Sequence, residues 1–526
     1  TLDGRVTHEP TGRSRDYGDL VEVAATIPVA EEPPLKDPAD YRILGRRLPR
    51  IDTPEKVDGS KVFGMDIQVP GMAVACVERS PVLGGALRTF DGGEAQASPG
   101  VRAVVRVPSG VAVVADDTWS ALEARKKLRA EWDPGVIGEL SAEGLDRYLR
   151  QRVEERGAVA RDDGEVEGAL RRAVTRVEAD YQVPYLAHAT MEPMICTVWV
   201  TDDGTVEVWA PTQNATNTQR AAAEVAGVPP EQVTVHAIPM GGGFGRRSQV
   251  DFVREAAEVS MAVGGPIKVV WSREDDTRGG YFRPASYQRF RAGLGADGMP
   301  VAWHHRVVAP SIFHQMRPGA LDRANGVDGD AVGGAASLPY GIPNLKVEFT
   351  RAELDVPLWF WRAVGHSTNG FTTESFLDEV AVAAGADPAE YRHRLLSDHP
   401  RHLGVLERAL EASNWGATLP QGVGRGVSVH ESFGSFVAQV AEVSVEGGRP
   451  RVHRVVVAVD CGQNINPDTI EAQMDSCVAY GLSAALWGDV TFENGRVVQG
   501  NFDTYPVVRI SDMPRVETHI VASRDL

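Results

Sequence analysis

The chain has 526 residues, with 54 Lys+Arg against 72 Asp+Glu and a formal net charge of −18. So acidic a surface argues against nucleic acid or an anionic membrane as partner, and no run of about 18 apolar residues offers a transmembrane helix. With 43% hydrophobic and 24% charged residues, the composition is that of a globular protein with sizeable cores. The cysteines, Cys76, Cys196, Cys461 and Cys477, show no CxxC spacing, so they suggest no Fe–S cluster, structural zinc or disulfide framework.

Residues 1–50, with Pro33-Pro34, Pro38 and Arg46-Arg47, read as a linker. At 51–67 the run IDTPEKVDGSKVFGMDI reads as a turn and then a strand, with further strands at 72–78, 101–107 and 111–115. A helix is expected over 120–131, where Ser120 and Glu123 have capping-box spacing. Residues 51–135 thus form a small mixed α/β unit. Residues 141–178 are charged and helical in pattern. Hairpin signals follow at Asp202-Asp203-Gly204, Glu446-Gly447-Gly448 and Asn494-Gly495. Helices are expected at 218–226, 251–264, 373–385, 388–397 and 402–413. Strands and helices do not alternate as βαβ, so the fold class is α+β.

Several short motifs have both a functional and a plain reading. Residues 293–298 satisfy GxGxxG, but a strand-like run follows where a dinucleotide site needs a helix, so a hairpin turn is the better reading. Met240-Gly241-Gly242-Gly243-Phe244-Gly245-Arg246-Arg247 follows a strand and precedes a helix whose apolar face is Phe252, Val253, Ala256 and Val259. Its glycines permit positive φ, and its amides suit a phosphate or oxo group; a tight structural turn fits equally well. Gln213 and Asn214 follow a strand, where polar amides point into a site or simply form a surface loop. His188 and Glu192 are i,i+4 apart, but Pro184 and Pro193 bracket them, which favours a structural histidine over a metal pair. His304 and His305 fall on a strand and face opposite sides. Asp328-Gly329-Asp330 begins like a calcium loop but lacks its later ligands.

In order along the chain, these segments resemble the molybdopterin-binding large subunit of the xanthine dehydrogenase/aldehyde oxidase family, in the branch of the isoquinoline 1-oxidoreductase β-subunit type. The resemblance is carried by GRRLPRIDTPEKVDGSKVFGMDIQVPGM (45–72), VAVVADDTWSALEA (111–124), YLAHATMEPM (185–194), VEVWAPTQ (206–213), MGGGFGRR (240–247) and PIKVVWSREDD (266–276). WRAVGHSTNGFTTESFLDE (361–379), VAVDCGQNINPDTIEAQ (457–473) and NFDTYPVVR (501–509) complete it.

The resemblance implies an α/β-hammerhead domain at 45–140 after the end of a preceding domain and linker at 1–44. Molybdopterin-binding regions would follow at 141–420 and 421–526, the second one truncated. It implies a molybdenum pterin cofactor, in its cytosine dinucleotide form, and hydroxylation of an N-heteroaromatic or aldehyde carbon with oxygen from water. Electrons would leave through a small [2Fe-2S] subunit to a cytochrome, a flavin or another acceptor. Gln213 would donate to the apical oxo ligand; Gly241, Gly242, Gly243, Phe244 and Gly245 would pack beside metal and pterin. Arg362 would close the other side, and Gln473 would grip the pterin. No protein side chain would ligate the metal.

Two departures from the family pattern stand out. Arg247-Ser248 replaces a substrate-binding carboxylate, and Met474-Asp475-Ser476-Cys477 replaces a small glycine pair. The family's glutamate base, in a Gly-Glu-Pro-Gly stretch, is expected beyond Leu526, and a Gly-Gln-Gly cofactor loop before Thr1, so the chain reads as the middle of a longer subunit. A non-catalytic scaffold of the same fold is the alternative.

Overall fold

The computed structural model describes residues 4–523 except Ala30 and Pro34; the expected linker residue Pro34 and the terminal Arg524-Asp525-Leu526 lie outside the described residues. Two compact units result, Thr1–Arg47 and Leu48–Leu526. The first contains an antiparallel hairpin, Arg5–His8 with Arg13–Asp16, and short helical turns.

In the second unit a seven-stranded sheet runs in the order Val233–Ala237, Val206–Ala210, Ile195–Val200, Gly265–Val270, Ala73–Arg79, Gly110–Ala115, Val101–Val107. It draws strands from both sides of residue 140. Helix Asp251–Val263 covers it, burying Phe252, Val253, Ala256 and Val259, the face anticipated from the sequence. Although the fold is α+β, it contains a compact βαβ unit: Val206–Ala210, helix Ala215–Ala226 and the parallel neighbour Val233–Ala237.

A five-stranded sheet (Ala158–Asp163, Leu345–Arg351, Pro300–Ala309, Ser286–Leu294, Thr175–Val183) and a four-stranded sheet (Val423–Ser432, Ser435–Glu446, Arg449–Asp460, Arg515–Ile520) share one core. Phe290, Trp303 and Phe376 pack there with Val440 and Ala458. Residues 293–298 form the hairpin between Ser286–Leu294 and Pro300–Ala309.

Some local expectations are corrected. The strand expected within 51–67 is a short helix, Thr53–Val57, and a single turn, Gly64–Asp66; Pro54 at the first turn pre-sets a helical φ. The helix expected from 120 runs Thr118–Arg125, and its cap is the Asp117 carboxylate accepting from Ser120 N, not a Ser120–Glu123 box. The stretch 141–178 is broken by strand Ala158–Asp163 between helices Ala142–Arg152 and Val166–Arg172. Helix His366–Ala383 starts earlier than 373, because its first turns bury polar Thr368, Asn369 and Thr372 and so lack an apolar stripe.

Candidate functional site

Gln213 lies between strand Val206–Ala210 and helix Ala215–Ala226, whose cap is Asn214 accepting from Asn217 N. The backbone of Gln213 donates to Arg247 O at 3.0 Å. Its Oε1 accepts from Gly245 N at 3.0 Å and Arg247 N at 3.3 Å. Both donors hold the oxygen of the carboxamide, so Nε2 is turned away from the loop. That nitrogen has no hydrogen-bond partner among the described residues, and the side chain is exposed. It is a fixed, unused donor.

The glycine loop is tightly built. Gly242 and Gly245 have φ of 98° and 107°, and Phe244 itself sits at 52°. Arg246 and Arg247 point inward and are fully buried. Arg246 makes a two-pronged bond to Asp251 at 2.7 and 2.7 Å. Arg247 donates to Gly242 O at 2.7 Å, Glu192 O at 2.7 Å and Glu192 Oε2 at 3.0 Å. Burial lowers the Arg247 pKa to about 10, with Glu192 opposing that shift. Glu192 also accepts from Gly241 N at 3.0 Å and Gly64 N at 2.9 Å. Arg247 is therefore a structural pin of the loop. Ser248 Oγ donates to Gly245 O at 2.7 Å and accepts from Trp359 Nε1 at 2.8 Å, so neither residue of the Arg-Ser pair is free for a ligand.

Arg362 closes the cluster from another element. Its amide donates to Phe244 O at 3.0 Å. Its guanidinium reaches helix Pro467–Leu486, with Nη1 on Ser476 Oγ at 2.9 Å and Nη2 on Gln473 Oε1 at 3.4 Å. Gln213, the loop 241–245, Arg362 and Gln473 thus form one chain of contacts, although they span 260 residues of sequence (473 − 213). His188 and Glu192 are not a metal pair. The His188 ring faces two carbonyls, Phe360 O at 2.9 Å and Tyr281 O at 3.1 Å, and burial lowers its pKa to about 4, so it is neutral and donates to one of them. His304 bonds Glu348 and His305 bonds Gln288 on opposite faces, and the Asp328 carboxylate caps its own turn. Among the described residues no group of three or more His, Cys, Asp or Glu side chains is placed to hold a metal ion.

Sequence reasoning missed Tyr480 and Trp361. The Tyr480 ring stacks on Phe244 at 4.3 Å and on Trp361 at 4.5 Å, and its hydroxyl donates to His188 O at 2.6 Å. The adjacent Asn466-Pro467 pair is a helix-start signal that would have placed Gln473, Ser476, Cys477 and Tyr480 on one face. Positive φ at non-glycine residues gathers here too: Ala189 at 49°, Phe244 at 52°, Ala363 at 66° and Val364 at 52°. For a β-branched residue such as Val364 this is a true outlier.

Comparison with known proteins identifies the family. Two stretches, residues 150–396 and 407–514, match the molybdopterin cofactor-binding domain. The chain is 33% identical to the beta subunit of isoquinoline 1-oxidoreductase from Brevundimonas diminuta, over 99% of its own length and 73% of that protein. It is 29% identical to a nicotinate dehydrogenase subunit of Pseudomonas putida over 96% of its length, but spans only 45% of that protein. The fold superposes on quinoline 2-oxidoreductase from Pseudomonas putida 86 with a TM-score of 0.77 at 14% identity, covering 91% of each chain. The chain belongs to the molybdopterin-binding large subunits of the xanthine dehydrogenase family, which are molybdenum-dependent oxidoreductases.

Proposed function

We propose that this chain serves a molybdenum hydroxylase that oxidises a carbon of an N-heteroaromatic ring or an aldehyde with oxygen from water, passing electrons to a small [2Fe-2S] subunit. The names of the relatives, on isoquinoline, nicotinate and quinoline, favour the N-heteroaromatic class, and their subunit designations support a partner chain. The cofactor is a molybdenum pterin, which we take to be the cytosine dinucleotide form. The domain bounds 45–140, 141–420 and 421–526 are part of the same proposal.

The observation that carries this reading is the unused Nε2 donor of Gln213, fixed by two loop amides beside Phe244. A carboxamide held in that way suits a strong oxygen acceptor such as an oxo ligand. The bound group would supply the two-electron redox chemistry, and the protein would supply placement and electrostatics. Gln213 would orient the group by its donor. Phe244, clamped by Tyr480, would wall it off from water, while Arg362 and Gln473 would hold its far side. The glutamate base expected beyond Leu526 and the loop expected before Thr1 lie outside the described residues.

Strain favours this reading over a non-catalytic scaffold. Backbone held at unfavourable φ costs on the order of 1–3 kcal/mol per residue and tends to persist where a site requires it. Here it sits at Phe244, next to the Gly245 amide that holds Gln213, and at Ala363 and Val364, next to Arg362. The test is to purify the full-length subunit with its partner, measure molybdenum and pterin, and assay N-heteroaromatics and aldehydes in ¹⁸O-labelled water. Labelled hydroxylated product is expected. Molybdenum-loaded protein that turns over neither class, or product without the label, would overturn the reading.

A further inference from the structure

The Arg362 guanidinium is a cation without a carboxylate partner among the described residues, and its side-chain contacts all come from one helix. Nη1 donates to Ser476 Oγ at 2.9 Å. Nη2 lies 2.8 Å from Cys477 Sγ, 3.3 Å from Gln473 O and 3.4 Å from Gln473 Oε1. On Pro467–Leu486 these acceptors stand at i, i+3 and i+4, with the Tyr480 ring at i+7 centred 5.9 Å from the guanidinium. Most of the buried arginines are treated differently: Arg246, Arg247, Arg273 and Arg392 each meet a carboxylate, while buried Arg283, beside Trp361, donates to Pro184 O and has no carboxylate among the described residues.

That difference has a physical meaning. A carboxylate would orient Arg362 but also cancel its charge. A hydroxyl, a thiol and a carboxamide orient the planar fork and leave the charge whole. Cys477 remains a neutral partner, because burial raises its pKa by more than Arg362 lowers it.

We propose that Ser476 and Cys477 are positioning residues that hold Arg362 as an uncompensated cation, ready for an anionic oxygen of the cofactor or the reacting substrate. This rests on the reading that Arg362 lines the cofactor site.

The test is a mutant cycle in the full-length protein with its partner. Arg362→Ala, the pair Ser476→Ala/Cys477→Ala, the triple variant, and Ser476→Ala with Cys477→Ser are compared. Each is read by kcat and KM on isoquinoline and benzaldehyde with an artificial acceptor, and by molybdenum retained on dialysis against increasing KCl. The pair should lower kcat/KM or retention about tenfold, the size of a lost hydrogen bond to a charged group. In the Arg362→Ala background the pair should change nothing further, since it acts through Arg362. Cys477→Ser should recover most of what Cys477→Ala loses. An equal effect of the pair with and without Arg362 would mean a merely structural role and would overturn the proposal. So would wild-type values for the pair beside a damaged Arg362→Ala. If Arg362→Ala itself leaves both readouts unchanged, the placement of Arg362 at the site fails and the clamp with it.

Discussion

Gly243 and Gly245 belong to one loop for different physical reasons. Gly245 needs its backbone: φ is 107°, and a Cβ would stand 1.8 Å from Phe360 O. Gly243 needs only space, since its φ is not positive and a Cβ would stand 2.6 Å from Gln213 Oε1. The Gln213 side chain is exposed and can swing away; the Phe360 carbonyl cannot. Gly243→Ala should therefore fold normally while displacing Gln213, lowering turnover or molybdenum retention about tenfold or more. Gly245→Ala should destabilise by at least ~2 kcal/mol from strained φ and backbone clash together. Thermal melts and metal analysis of the two variants separate these effects. A large drop in melting temperature for Gly243→Ala, or none for Gly245→Ala, would contradict the assignment.

At the scale of elements, helix Pro467–Leu486 does what the sequence did not announce. Gln473 could be singled out by resemblance, and 474–477 only as a departure from it; the role of their shared face with Tyr480 was hidden, because the helix carries apolar and polar residues on all sides and lacks a stripe. The glycine loop was legible for the opposite reason: few roles need so many glycines between a strand and a helix. The inward turn of Arg246 and Arg247 was not legible, since two charged residues in a row ordinarily suggest solvent; their partners Asp251 and Glu192 lie on other segments. Tyr480 is the test of the helix. It joins the glycine loop, through Phe244, to the Arg362 loop, through Trp361. Tyr480→Phe keeps both stacks and loses the bond to His188 O, at a cost of about 1 kcal/mol. Tyr480→Leu also loses two ring stacks, each worth about 0.5–1.5 kcal/mol beyond its buried area. Chemical denaturation should rank wild type, Phe and Leu in that order, with molybdenum content falling mainly in Leu. Equal stability for Phe and Leu would mean that the stack holds nothing together.

Across the whole molecule, buried histidines decide how stability responds to acid. Burial lowers the pKa of His188, His402 and His430 to about 4, and of His305 to about 3. Cationic neighbours add to this at all four: Arg246 near His188, His304 beside His305, His399 beside His402 and His366 beside His430. The unfolded chain takes up protons near the ordinary value of 6.5, while the native one does not until near 4. The native state therefore has its full stability above pH 6.5 and loses it as pH falls from 6.5 toward 4. Glu348 acts lower down. Burial alone would raise its pKa, but the hydrogen bond and charge of His304, with Arg306 and Lys346, hold it down to about 2. Its contribution is complete above its ordinary 4.5 and is lost between there and about 2. Loss of stability should thus set in just below pH 6.5, above the ordinary carboxylate range. His402 is the cleanest probe, because its Nε2 has no hydrogen-bond partner among the described residues and its ring packs edge-on against Phe436. His402→Phe should remove about one proton from the slope between pH 6.5 and 4, or ~1.4 kcal/mol per pH unit. Glu348→Gln should flatten the region below about pH 4.5. Urea titrations from pH 7.5 to 3.5 read both effects. An unchanged slope in His402→Phe would show that this histidine protonates in the folded protein as freely as in the unfolded chain.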